Sequence, residues 1–489
     1  MNRSATRLLI LITILGGPIG APAQSITLEG YLNLVRENHP LFARENLGPA
    51  LEEASREAAL GARDVRLDFA PGYATSQPLP TSAFSPTKLD QFRAGTSLEK
   101  AIWGTGGRLA LSWTSDVLSQ NIPNIVLGDI SIPAGPPEFY QHDLALAYTQ
   151  PLLQNFRGTL DRLAYDLGRY SVDMAALMAL ENQEAFLLRM GSKFLEWVAL
   201  GEQQSISAER LRLTRQQLEQ VRSKRRANLV DEVDVLRSED AGRIAEQGLL
   251  LVAAQVKAKG AELAVLARSP ELDKPDFDLF ARVDYGTTGE LLAHLRDDSR
   301  LLALVARRRL QLERRHQGLE ELTRPQLNLV AQLAVKSGNE ALDNSLKFDK
   351  TDAGLFLQFS YPLGNRGARA DVQKSRLELR RNALESDEIM LDLEAGLRNL
   401  KIQIEELEKV MTLNEEQIKT ARRKTAAELE RYNSGRGELT FVIQSQDNEM
   451  AARLAYTRNA ATYHALGLQL RALTDDLLDG DFIGKDRRP

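Results

Sequence analysis

Five histidines are the first residues to test for chemistry, because imidazole serves both as a metal ligand and as a general base. They fall at His39, His142, His294, His316 and His464. They are scattered, and none sits at a metal-binding spacing from another. The chain has no cysteine, so it can form no disulfide framework, no thiolate metal site and no lipid-modified N-terminal cysteine. Gly104-Thr105-Gly106-Gly107 has the glycine density of a phosphate loop. It lacks the Gly-Lys-Ser/Thr ending and opens onto a strand-like run, not a helix, so phosphate binding is not expected. Acidic residues abound, but on helical stretches they face Lys and Arg at i,i+4, which is ordinary pairing on a solvated surface. The run Lys224-Arg225-Arg226 closes a helical stretch, where cations interact favourably with the helix end. Formal net charge is −5, without the basic surplus of a nucleic-acid binder. The expectation is therefore a protein with no catalytic residues, no metal, no cofactor and no nucleic-acid partner.

The elements that carry these residues are more informative. With 489 residues the chain is too long for one compact core and long enough for two or three domains. Residues 1–23 have a basic start at Arg3 and Arg7 and a short apolar run from Leu8 to Leu15. The Gly16-Gly17-Pro18 break and Ala21-Pro22-Ala23 follow. This is the layout of a secretory signal cleaved after Ala23, since the apolar run is too short to span a bilayer. No later segment reads as a membrane helix, so entry into a membrane would require strands.

Residues 160–227 and 367–433 contain no proline and are rich in Leu, Ala, Glu, Gln and Arg. In the second stretch Leu393, Leu397, Leu400, Ile404, Leu407, Met411, Ile418, Ala421 and Thr425 follow alternating steps of four and three, interrupted at Asn414. That is a heptad seam. In the first stretch the seam is weaker. Helices of this size would be roughly 100 Å long, far beyond the usual globular helix. Each ends in a polar break, Ala227-Asn228-Leu229 or Asn433-Ser434-Gly435-Arg436-Gly437, and a second helix follows, from about Asp231 to Ala267 and from about Glu438 to Leu473. Two long helical hairpins result, spanning 160–267 and 367–475.

Segments of period-two alternation precede both hairpins. Leu144, Leu146 and Tyr148 alternate with Ala145, Ala147 and Thr149, and Leu355, Leu357 and Phe359 alternate with Phe356, Gln358 and Ser360. The same pattern holds around Leu67 and Phe69, and around Leu327, Leu329, Leu333 and Val335. One apolar and one polar face fits a transmembrane barrel strand, and equally a soluble sheet packed on helices. The chain also repeats itself. Tyr148-Thr149-Gln150-Pro151-Leu152 with Asn155, Arg157 and Gly158 recurs as Phe359-Ser360-Tyr361-Pro362-Leu363 with Asn365, Arg366 and Gly367. Val235-Leu236-Arg237-Ser238-Glu239 parallels Val442-Ile443-Gln444-Ser445-Gln446. The division expected is a signal at 1–23, repeat 1 at 24–267 and repeat 2 at 268–478, with a tail at 479–489. Repeat 2 carries strands at 326–335 and 353–361.

The repeat, the Pro-Leu exit from the second strand, the hairpin turns and the opening Ile26-Thr27-Leu28-Glu29 to Asn38-His39-Pro40 resemble the TolC-like outer-membrane efflux protein family over residues 26–475. The resemblance implies an α+β membrane protein that is internally duplicated. Long antiparallel coiled-coil α-hairpins would form a periplasmic α-barrel, and a transmembrane β-barrel would be shared between three chains. It implies a homotrimer in outer-membrane lipid that takes its cargo from an inner-membrane pump through a periplasmic adaptor (membrane fusion) protein. Such a passive conduit serves tripartite efflux or type I secretion. Four strands alone cannot close a barrel, which independently calls for several chains. A soluble periplasmic coiled-coil adaptor or scaffold is the alternative, although an adaptor would carry one hairpin and this chain has two.

The sequence departs from the resembling family in two places. Residues 75–141 form an insertion containing Gly95-Thr96-Ser97-Leu98 and Leu109-Ala110-Leu111-Ser112-Trp113, either an extra barrel hairpin or one standing outside it. The family's closed periplasmic end is lined by acids after the second turn, where this chain has Phe441 and Gln444. Phe441 reads first as a helix–helix contact and second as an apolar constriction. The first turn carries acids instead, Asp231, Glu232 and Asp234, which would either form a charged ring in a trimer or favour the following helix N-terminus. With Arg237 and Glu438 these residues are the candidates for the periplasmic tip and gate, and Leu229 and Gly435 are the candidates for adaptor docking.

Overall fold

The computed structural model describes residues 25–79, 85–121, 124–127, 129–132, 138–478 and 485–486. The proposed signal segment 1–23 and most of the 479–489 tail lie outside the described residues. The helices are α1 (Leu28–Asn38), α2 (Pro40–Ala58), α3 (Leu163–Arg226), α4 (Glu232–Leu266), α5 (Thr288–Asp298), α6 (Arg300–Leu322), α7 (Leu342–Ser345), α8 (Arg366–Asn433) and α9 (Leu439–Leu473). The strands are β1 (Arg66–Ser76), β2 (Lys88–Ile102), β3 (Gly107–Asn121), β4 (Ile125–Leu127), β5 (Ile130–Ile132), β6 (Glu138–Pro151), β7 (Val283–Asp284), β8 (Gln326–Asn339), β9 (Lys350–Ser360) and β10 (Lys485–Asp486). Two compact units emerge. One comprises Asn46–Ala179 and Arg300–Met390, and the other runs through Glu45, then Leu180–Ser299, then from Leu391 onward. Each draws on both halves of the repeat.

The first unit is built on a six-stranded antiparallel sheet in the order β1-β2-β3-β6-β8-β9. The two strand-like runs of the insertion, β2 and β3, lie inside this sheet, between β1 and β6. Among the described residues, strands β4 and β5 pair only with each other. Register carries the period-two pattern across the whole sheet. Leu67, Leu98, Leu111, Leu146 and Leu333 are mutual partners in one row, and Phe69, Thr96, Trp113, Leu144 and Val335 in the next. All the apolar sets therefore share one face, because side chains alternate strictly across a pleat. The opposite face holds Arg66, Asp68, Arg93, Glu99, Arg108, Asp116, Lys336 and Asp352.

The second unit follows the opposite logic, burying its apolar residues. The seam of α8 turns inward: Leu393, Leu397, Ile404 and Met411 are buried. The interruption at Asn414 is also buried, and it accepts a hydrogen bond from Asn459 Nδ2 of α9 at 2.7 Å. One paired asparagine in an apolar seam is the device that pins helix register. The weaker seam of α3 is broader than a heptad stripe. It buries Leu187, Met190, Phe194, Trp197, Val198 and Leu211, with the Tyr31 ring of α1 stacked 5.4 Å from Phe194. Helix α1 begins at a Thr27 cap whose hydroxyl accepts from Gly30 N at 3.0 Å. Helix α5 begins with a complete Thr287/Glu290 capping box. No described helix is long and apolar enough to cross a membrane.

Candidate functional site

Two places in the chain can act on a solute or a partner: the paired hairpin turns of the helical unit and the two faces of the sheet.

The turns are built alike. Helix α3 ends with Asn228 in the left-handed region at φ 55°, with Leu229 N donating to Lys224 O at 2.9 Å. Helix α8 ends with Gly435 at φ 74°, with Arg436 N donating to Arg431 O at 2.9 Å. Both are Schellman caps, which satisfy the orphan carbonyls of a helix end and reverse the chain. The following helices, α4 and α9, are each 35 residues long. The turns are locked together by an apolar cluster of Val221, Val235, Tyr432, Leu439 and Val442. Val235 and Val442 hold corresponding places in the two repeats, as do the buried Ser238 and Ser445. The repeated pentapeptide therefore marks a shared packing role.

Lys224 bridges the turns. Its Nζ lies 3.8 Å from the centroid of the Tyr432 ring and donates to Tyr432 O at 3.2 Å and Asn433 Oδ1 at 3.3 Å. The cation thus caps the C-terminus of α8, a neighbouring helix, and not of its own α3. Burial lowers its pKa, and burial together with the charge of Asp234 raises that of Tyr432.

The tip candidates fall in three groups. Leu229, Asp231, Asp234, Arg237, Gly435 and Glu438 line one cleft of about 860 Å³ between the turns. Arg237 and Gln444 also line a second groove, which is floored by Arg210 and Asp447. Glu232 pairs with Arg225 across the first turn at 3.3 Å, and Asp234 with Arg237 at 3.3 Å. Asp231 and Glu438 are the N-cap residues of α4 and α9, and neither side chain makes a capping hydrogen bond. Phe441 is 52% exposed and lies outside the apolar cluster that locks the turns. Leu229 is 72% exposed although it follows a cap.

Sequence reasoning missed Arg210. Its guanidinium is buried, hydrogen-bonded to Gln446 Oε1 and 2.5 Å from Asp447 Oδ1, tying α3 to α9. Its signal was an arginine at a seam position beside Leu211.

The sheet presents two chemistries. On the polar face Arg93 meets Asp116 at 2.6 Å, Arg66 meets Glu99 at 3.1 Å and Lys336 meets Asp352 at 2.6 Å. The apolar face is bare: Leu67 is 64% exposed, Trp113 46%, Leu333 49% and Leu355 70%. Two polar residues on that face are covered. His142 and Ser337 are buried under α7, with His142 Nε2 3.1 Å from Ser345 Oγ and Ser337 donating to Ser345 O. Strands β1 and β9, at the two edges, have no partner on their outer sides among the described residues.

The other histidines serve local structure. His39 Nδ1 accepts from Leu41 N at 3.2 Å, His294 contacts Asp298 at 3.0 Å, and His316 contacts Ser375 Oγ at 2.6 Å. The ring of His464 is buried, with Nε2 donating to Leu279 O at 3.1 Å, and burial lowers its pKa to about 4. Three carboxylates, Glu181, Glu184 and Asp475, come together, and Glu184 accepts from Leu477 N at 2.9 Å. Gly104–Gly107 lies at the β2–β3 turn, with Gly106 at φ 75°.

No family model and no curated protein matches the sequence. The structure is similar to the outer membrane protein VceC of Vibrio cholerae, with a TM-score of 0.64 and 13% identity over 91% of this chain and 96% of that one. It is similar to the CmeC outer membrane channel of Campylobacter jejuni, with a TM-score of 0.64 and 10% identity over 94% and 90%. It is also similar to the open state of the MtrE outer membrane channel of Neisseria gonorrhoeae, with a TM-score of 0.63 and 12% identity over 94% and 91%. At these identities the likeness establishes the fold alone, the one these outer membrane channel structures share.

Proposed function

We propose that this chain is the outer-membrane channel subunit of a tripartite efflux or type I secretion system, a passive conduit from periplasm to exterior. The observation that carries the reading is the bare apolar face of an open-edged sheet whose other face is polar and ion-paired. In water such a face would be an aggregation surface. In a bilayer it is the lipid side of a barrel wall. On β6 Leu144, Leu146 and Tyr148 hold that face, and the Leu146 row continues across the sheet through Leu67, Leu98, Leu111 and Leu333. Edges β1 and β9 cannot remain open in lipid, so copies of the chain pair edge to edge into one shared barrel, and a homotrimer is the ring the fold supports. The helical hairpins belong to the periplasm, where they complete an α-barrel. The clefts at their turns receive a periplasmic adaptor coupled to an inner-membrane pump. Leu229 and Gly435 serve docking. Asp231, Glu232, Asp234, Arg237, Glu438, Phe441 and Gln444 shape the opening. Exposure of Phe441 in the single chain fits a residue that meets another copy or lines the opening.

The bare face also weighs against the soluble adaptor, which would need that face covered. Fractionation of tagged protein, with the outer-membrane fraction run heated and unheated on a denaturing gel, tests the proposal. A heat-labile oligomer in the outer membrane is expected, and a soluble periplasmic monomer would overturn the reading.

A further inference from the structure

We propose that the inserted hairpin β2–β3 is a pore-widening element. It adds two strands to each chain's share of the wall, so that three copies close eighteen strands around a lumen that passes bulkier solutes, without adding charge selectivity. The inference rests on the shared-barrel reading above.

Three features make the hairpin part of the wall and not a surface appendage. First, β2 pairs with β1 and β3 pairs with β6 in unbroken antiparallel register, so the hairpin separates two strands that would otherwise be neighbours. Second, it continues both faces. Phe92, Leu98, Leu109, Leu111 and Trp113 extend the apolar rows, and Arg93, Glu99, Arg108 and Asp116 lie on the polar side. Third, its turn is seated on the chain's own exit from β6. Gln150 Nε2 donates to Thr105 O at 2.9 Å, and the Thr105 and Tyr148 hydroxyls lie 3.3 Å apart. A Cβ on Gly106, at φ 75°, would lie 2.7 Å from Gly158 N, and one on Gly107 would lie 2.6 Å from the Tyr148 hydroxyl. At Gly106, where the clash is with backbone and φ is positive, only glycine permits that approach.

The lumen side of the hairpin suits passage. Apart from its charged residues and the ends, it presents Gly95, Ser97, Ala110, Ser112 and Thr114, which are too small to fill a pore. Its charges are two arginines and two acids that satisfy one another or Arg66: Arg93–Asp116 at 2.6 Å, Arg66–Glu99 at 3.1 Å and Arg108–Glu99 at 4.0 Å. The hairpin thus enlarges the wall while leaving its charge unchanged. Barrel diameter grows roughly linearly with strand number, and sixteen to eighteen strands leave an aqueous channel. Relative to twelve strands, eighteen give about one and a half times the diameter and about twice the cross-section.

The test replaces residues 77–137 with a short Asn-Gly turn, joining β1 directly to β6. The intact and shortened chains are compared in planar bilayers. Graded polyethylene glycols are added on the extracellular side, and the reversal potential is read in a salt gradient. The shortened channel should exclude smaller polymers and show about twofold lower barrel-side conductance, with an unchanged reversal potential. An unchanged exclusion size overturns the proposal. If the shortened chain does not assemble, cysteines in the otherwise cysteine-free full chain decide. Ser97→Cys and Ser112→Cys should react with a bulky charged thiol reagent from the lumen and reduce the current, whereas Leu98→Cys should not. Absence of that reaction in a working channel places the hairpin outside the wall and sinks this inference alone. Failure of the intact chain to form any channel sinks the reading beneath it.

Discussion

The sheet and the helical hairpins are similarly rich in leucine, the hairpins carry more charge, and the two are inside out with respect to one another. In the hairpins Leu397 is fully buried and Leu413 on the same helix is 62% exposed, so one stripe packs and the rest is solvated. In the sheet the leucines point outward together and the charges pair on the other face. On the proposed channel reading the difference is one of solvent. A helix pair in water gains by removing its apolar stripe from contact with it. A barrel wall already has an apolar medium outside and must satisfy its polar groups inside.

That contrast can be broken most severely in the hairpins. Leu397→Ala should lower stability by about 2–5 kcal/mol, the cost of a cavity in a packed seam, whereas Leu413→Ala should fall within about 0.5 kcal/mol. Thermal unfolding followed by circular dichroism reads both, and equal effects would mean that α8 does not pack through this seam. In the sheet, adjacent positions should give opposite results. Leu146→Arg should cost about 2–4 kcal/mol and deplete outer-membrane oligomer, while Ala147→Arg on the polar face should assemble and alter only conductance. Heat-modifiability on gels separates them, and a tolerated Leu146→Arg would remove the lipid from the argument.

His464 sharpens the comparison through pH. It stays neutral in the folded helical unit down to about 4, while the unfolded imidazole titrates near 6.5. Between those values the unfolded state binds more protons. Stability is therefore fully present above about 6.5 and falls as pH drops toward 4, by on the order of 3 kcal/mol. Denaturant midpoints measured at pH 7.5 and 4.5 should differ by less in His464→Gln than in the native chain. A smaller loss than that of Leu397→Ala belongs to the Asn414–Asn459 pair, in which Asn414 is buried and Asn459 half-buried. Asn414→Ala should cost about 1 kcal/mol by leaving Asn459 unsatisfied, and simultaneous replacement of both by leucine should recover that stability while loosening register, seen as broadened distances between spin labels on α8 and α9.

Several of these features are legible in the amino-acid sequence alone. The heptad seam of α8 can be read from Leu393 to Thr425 because helical periodicity is local. The strand faces can be read from Leu144, Leu146 and Tyr148 for the same reason. Both turns are marked by Asn228 and Gly435, residue types suited to the left-handed conformation they adopt. The fate of Phe441 is not legible, because whether an aromatic at a helix start packs or stands free depends on what faces it. Nor is Arg210 recognisable as a buried cation, since its partners Gln446 and Asp447 lie on a distant segment. The β2–β3 hairpin is visible as two strand-like runs around a glycine turn, but its place in the sheet is not.

The elements and their amphipathic faces follow from residue spacing within a few positions of chain, and the duplication from comparing one half of the chain with the other. The place of β2 and β3 between β1 and β6, the row of five leucines from five strands, and the capping by Lys224 of a helix other than its own are visible only in the folded chain. Strand order and helix-end partners are set by contacts between residues far apart in sequence, and such contacts depend on the closing of long loops and not on any local preference.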